Sequence, residues 1–158
     1  MQSPLLGKLS DFRLNRTLHG RSVYRKQNVS GHNVVRYYNA PGKGDGIDLF
    51  DTAGTPVFAC HAGKVTRIFD RQGKLSGCYI VGVSGKYVEH DNITTVYAHL
   101  HLKDSIKLNT IIREGDCIGW IGKLLKDPHI HFECEWNGHV ICGETPEGML
   151  KHLIEVLQ

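Results

Sequence analysis

Short strand-like runs separated by glycine-containing turns recur from Gly46 to Ile141, and they restrict this chain to an all-β or mostly β fold. The runs are Gly46–Phe50, Pro56–Ala59, Lys64–Phe69, Cys78–Val83, Tyr87–His90, Thr94–His99, Cys117–Ile121, His129–Trp136 and His139–Ile141. Asn137-Gly138, between the last two, is a strong two-residue hairpin signal. Val34–Tyr38 is also strand-like, and residues 39–44 then read as a loop. The first twenty or so residues show little periodicity and predict an arm or a short helix.

The tail changes character. Thr145-Pro146-Glu147 supplies an N-cap, a first-turn proline and an acidic first turn. Met149, Leu150, Leu153, Ile154 and Leu157 then form one apolar stripe, which predicts a helix over about 146–157 packed on the sheet. At 158 residues the chain can build one domain with its own core. The expected division is a basic N-terminal arm, 1–33, followed by a β domain, 34–158, that includes the helix.

Charge is uneven. Residues 1–44 hold eight Lys or Arg against Asp11 alone, whereas the remainder has eleven basic and fifteen acidic residues. Such an arm suits an anionic polymer such as teichoic acid or a lipid surface, and it also reads as a plain solvated basic edge. No nucleic-acid motif accompanies it, so nucleic acid is not an expected partner. No apolar run approaches the ~18 residues of a membrane span, and no signal peptide is visible in residues 1–20. Cys60, Cys78, Cys117, Cys134 and Cys142 form no C-x-x-C pair, and most have apolar neighbours. They are expected as buried, reduced thiols, which points weakly to a reducing compartment.

The stretch with most chemistry is His129-Ile130-His131-Phe132-Glu133, just after Asp127-Pro128. On a strand, residues two apart share a face, so the two imidazoles project together roughly 7 Å apart, with Ile130 and Phe132 facing the core. One can bind a metal while the other handles a proton. A polar strand face can also carry two histidines without any such role, and the dyad alone leaves both readings open.

Further segments fall in a telling order: Gly46-Ile47-Asp48-Leu49, Gly54–Ala59, Ala62–Val65, Thr95–Leu100 and Arg113–Gly122, leading into the dyad. With this set the chain resembles the lysostaphin-type (LytM-like) zinc endopeptidases that cut peptide bridges in bacterial cell walls, over about residues 44–142. The resemblance implies a Gly-rich antiparallel β sandwich or barrel with a narrow groove. It implies zinc as cofactor, held by H-x-G-x-D and by the second His of H-x-H. Asp48 and His131 match ligand positions, while His99 and His129 match the two non-ligand histidines that orient or activate the metal-bound water and stabilise the oxyanion. Peptidoglycan peptide, or an envelope protein, is the implied partner, and the cell envelope the implied location.

One position departs from the pattern. Gly44 stands where the family has its first histidine ligand, and glycine offers no side-chain donor. Since even the loss of groups behind a ligand typically costs about 10–100-fold in metal affinity, zinc occupancy is in question. Asp45, His32, His61 and His90 are the candidate substitutes. Three readings follow: a peptidase-like domain, impaired or inactive, that binds cell-wall peptide or a protein partner; an active endopeptidase with a substitute ligand; and, more distantly, a phosphotransfer carrier using the His99–His129 pair. Asp48 could also accept hydrogen bonds from neighbouring imidazoles in a metal-free polar network.

Overall fold

The structure, a computed structural model, describes residues 3–5, 13–14, 24–29, 32–37, 46–71, 78–88, 91–123 and 126–140. These residues form one antiparallel sheet system of twelve strands. In chain order they are β1 (Arg13–Leu14), β2 (Tyr24–Val29), β3 (His32–Tyr37), β4 (Ile47–Phe50), β5 (Pro56–Phe58), β6 (Gly63–Arg71), β7 (Cys78–Val88), β8 (Asp91–Leu102), β9 (Ile111–Ile112), β10 (Cys117–Ile121), β11 (His129–Trp136) and β12 (His139–Val140). The main path runs β2-β3-β12-β11-β8-β7-β6-β9, with β4 beside β11 and β10 linking β8 to β5. This is the mostly β, antiparallel fold expected. The predicted helix over 146–157 lies outside the described residues, which contain no helix long and apolar enough to cross a membrane.

The alternation read in the sequence is the alternation in space. Along β11, Ile130, Phe132, Cys134 and Trp136 are buried, while His129, His131, Glu133 and Glu135 are only partly covered on the other face. Ile47 and Leu49 of β4 join the same core, and Tyr97 packs a tilted ring on Phe132 at 5.4 Å between centroids. Strand β11 turns into β12 through Asn137 (φ 48°) and Gly138 (φ 78°), the left-handed pair that a tight hairpin requires.

Several boundaries differ from expectation: β3 starts at His32, β6 and β8 run longer at both ends, and β9 was not expected. Val83 and Tyr87 belong to one continuous strand, because Gly85 does not make a turn there. A Cβ at Gly85 would run into the Ala62 carbonyl, so the glycine serves a close backbone approach inside the strand. Strands β1 and β2, in the stretch read as an arm, carry no alternation that would announce them; β2 is held by pairing with β3 along its whole length. Of the cysteines, Cys60, Cys78 and Cys134 are buried, Cys117 is half-buried, and all four are free thiols, while Cys142 lies outside the described residues. Burial pushes the Cys60 thiol up to about 12.

Among the described residues, the core holds a buried polar network. The backbone N–H of Cys60 donates to the Tyr97 hydroxyl (2.8 Å), as does Thr95 Oγ1 (2.8 Å). Thr95 Oγ1 lies 2.9 Å from His61 Nε2, and His61 Nδ1 lies 2.9 Å from the Ala62 carbonyl. Burial lowers the His61 pKa. Removing the Tyr97 hydroxyl leaves the buried Cys60 N–H without its acceptor, while Thr95 keeps His61, so Tyr97→Phe is expected to cost about 1–3 kcal/mol of stability. Urea unfolding checks this, and an unchanged midpoint would mean the network contributes nothing net.

Candidate active-site groove

Strand β11 lies between β4 and β8, and that position assembles the site. His131 is directly opposite Asp48 on β4 and Ala98 on β8. Asp48 sits between the core residues Ile47 and Leu49, so strand alternation turns its carboxylate to the face of β11 that carries His129 and His131. It is nearly buried there, with 4% of its surface exposed.

His99 arrives by a different route. Ile93, Thr95 and Tyr97 of β8 point into the core, and strict alternation would send residue 99 there as well. A bulge intervenes: Tyr79 pairs with Leu100 and Val81 with Tyr97, so Ala98 and His99 together oppose the single residue Ile80. His99 takes φ 67°, a left-handed conformation that costs a non-glycine residue roughly 1–2 kcal/mol. The extra residue re-aims the imidazole to the face of β11 that carries the dyad, where its ring centroid lies 4.9 Å from that of His129 and 6.2 Å from that of His131. Bulges beside functional sites commonly re-aim a side chain in this way.

Asp48, His99, His129 and His131 are thus brought together. His131 donates through Nδ1 to Asp48 Oδ1 (3.1 Å) and through Nε2 to Glu133 Oε1 (2.9 Å). Burial lowers the His131 pKa, but the hydrogen bonds and charges of the two carboxylates outweigh it and raise the group to about 9. His129 Nδ1 donates to the Asp127 carbonyl (2.7 Å), which leaves Nε2 on the side of Asp48, 3.6 Å from its Oδ1. Phe50 packs against the His129 ring at 5.0 Å.

Two residues complete this cluster without having been assigned a role from sequence. Glu133 fixes the far side of the His131 ring, and the H-x-E spacing on a strand was the available signal. Gly46 is the floor under that pair: a Cβ there would strike His131 Nε2 and Cε1 and come within 2.9 Å of Glu133 Cγ. Farther along the same face, Arg67 of β6 forms a two-pronged ion pair with Glu135 (3.0 and 3.1 Å).

A family profile described as Peptidase family M23 matches residues 42–142, well over half of the chain. The chain belongs to peptidase family M23. Solved structures agree on the fold. The catalytic domain of lysostaphin from Staphylococcus simulans is 21% identical with a TM-score of 0.53, over 90% of this chain and 95% of that one. LytU is 24% identical with a TM-score of 0.50, over 87% and 80% of the two chains. A zinc-containing peptidase from Vibrio cholerae is 22% identical with a TM-score of 0.53, over 82% of this chain and 35% of that one. No curated protein matches the sequence.

The zinc chemistry of an M23 peptidase can be tested against the residues present. Asp48 and His131 Nδ1 converge on one point, and the carboxylate of Glu133 on the opposite ring nitrogen is the arrangement that orients metal-ligating histidines. A third protein donor is what a catalytic zinc site further requires. Among the described residues, no group of three or more His, Cys, Asp or Glu is placed to hold a metal. Glu133 cannot join Asp48 on one ion through His131, because the two carboxylates occupy different nitrogens of the ring. His61 is committed to Thr95 and Ala62 in the core, on the face away from the groove. Gly44, Asp45 and His90 lie outside the described residues, and His32 is described only as part of β3.

Proposed function

We propose that this chain is a peptidoglycan-directed, peptidase-like member of family M23 whose groove binds cell-wall peptide and whose hydrolysis is impaired. Glycine at the first ligand position carries this reading: Gly44 supplies no donor, and no described residue completes a three-donor set. What the groove retains is a charged cluster, Asp48–His131–Glu133, with His99 and His129 beside it. Backbone amides and a free amine of a peptide find acceptors and donors there without any metal. The natural setting is the cell envelope, with the basic arm, 1–33, contacting anionic polymer and a protein of the envelope as the other occupant of the groove.

A second reading, an active zinc endopeptidase with a substitute ligand such as Asp45, is favoured by the groove-facing orientation of His99 and His129. One experiment separates the two. The protein, purified without a His-tag, is assayed for zinc by elemental analysis, for sedimentation with peptidoglycan, and for release of amino groups from it. Binding with little zinc and no release is expected. Stoichiometric zinc with hydrolysis abolished by His129→Ala would establish the active enzyme instead.

A further inference from the structure

We infer that Gly122 is the positioning residue for His99, holding the β8 bulge that turns this imidazole into the groove. Strand β10 pairs with β8 through Gly119↔Leu102, Trp120↔His101 and Ile121↔Leu100. Gly122 is the next residue, and its N–H donates to the His99 carbonyl at 3.0 Å. That rung lies where β8 exchanges one neighbour for another, since β11 pairs with it up to Ala98 and β10 from Leu100 onward. His99 falls between the two ladders, at φ 67°. The bond from Gly122 ties this left-handed residue to the end of β10.

The contact leaves no room for a side chain. A Cβ at Gly122 would lie 2.9 Å from the His99 carbonyl oxygen and 2.8 Å from Cys78 Sγ, with the carbonyl carbon at 3.8 Å. Real Cβ atoms do not approach heavy atoms this closely, so one side must yield. Cys78 is buried on β7, whereas the His99 peptide is already in a sparsely populated conformation that persists only while its surroundings hold it. The bulge is therefore the element that gives, and the His99 ring leaves its place beside His129. The need for glycine at this position comes from close approach.

The service of His99 to the groove is taken from the proposed function; its placement by Gly122 is independent of it, and the test keeps them apart. Full-length isotope-labelled protein is examined by NMR for ring-to-ring NOEs between His99 and His129, whose centroids are 4.9 Å apart. In Gly122→Ala these NOEs are expected to be lost, while NOEs between Tyr97 and Phe132 in the core remain. Cys78→Ala alone should keep the His99–His129 NOEs, and the double variant should not recover them. Persistence of the NOEs in Gly122→Ala would overturn the assignment, as would their recovery in the double variant, which would place the effect at Cys78. Should Gly122→Ala fail to fold, the wild type still decides. Scalar coupling across the Gly122 N–H to His99 carbonyl hydrogen bond, with slowed exchange of that amide, is expected, and its absence would overturn the proposal. Peptidoglycan sedimentation of the same variants reads the functional side: unaltered binding despite lost NOEs would leave Gly122 as the positioning residue and remove His99 from binding.

Discussion

Gly44→His is expected to raise zinc affinity by more than about 100-fold, since restoring a direct ligand should exceed the roughly 10–100-fold that groups behind a ligand contribute. Asp48 and the Nδ1 edge of His131 already face one another at 3.1 Å, and Glu133 holds the opposite nitrogen, so two of three donors need little rearrangement. Competition against a chromophoric chelator measures the gain, and Asp48→Ala in the same background should abolish it. A Gly44→His protein that binds zinc no better than the wild type would mean that the segment before Gly46 does not bring residue 44 to the cluster. Recovery of peptidoglycan hydrolysis in this variant would further show that the missing donor alone separates the groove from an enzyme.

The second large effect concerns pH. With zinc chelated, His131 is raised from 6.5 to about 9 when the protein folds, burial being outweighed by Asp48 and Glu133. A folded pKa above the unfolded one stabilises the native state fully below the unfolded value. That contribution is lost as pH rises through the folded value, so the window here runs from about 6.5 to about 9. At 1.36 kcal/mol per unit, the loss amounts to an upper figure of about 3 kcal/mol. Urea midpoints of chelator-treated protein should therefore fall across that window, and those of His131→Ala should fall much less. Zinc reverses the sign, because the metal binds only the deprotonated ring. An equal fall in both proteins would show that another group carries the pH dependence.

Much of the fold was readable because burial on one face leaves a period of two. Strands β10 and β11 match their expected bounds, and the pairing of Asp48 with His131 follows once β4 and β11 are antiparallel neighbours. What escaped were features that break the period or do not need it. The orientation of His99 depends on a bulge created by pairing among β7, β8, β10 and β11, which local pattern does not encode. Gly85 falls in the gap between two expected runs and is a packing residue inside one strand, because the atom it accommodates belongs to Ala62, more than twenty positions away. Glu133 stood in plain view, but its bond to His131 becomes meaningful only when Gly46 leaves space for the pair.

The placement of β11 between β4 and β8 has a consequence for how the molecule forms. The bond from His131 to Asp48 joins residues 83 positions apart. Closing so long a loop costs entropy before the contact returns anything, and such non-local pairings form late and slowly. During refolding, the groove should be among the last regions to appear, after the β7–β8 hairpin whose partners are close in sequence. Any nick or truncation that leaves β11 without β4 takes Asp48 away from His131 while Glu133 stays beside it, so the Asp48–His131 bond doubles as a reporter that the chain has folded to completion.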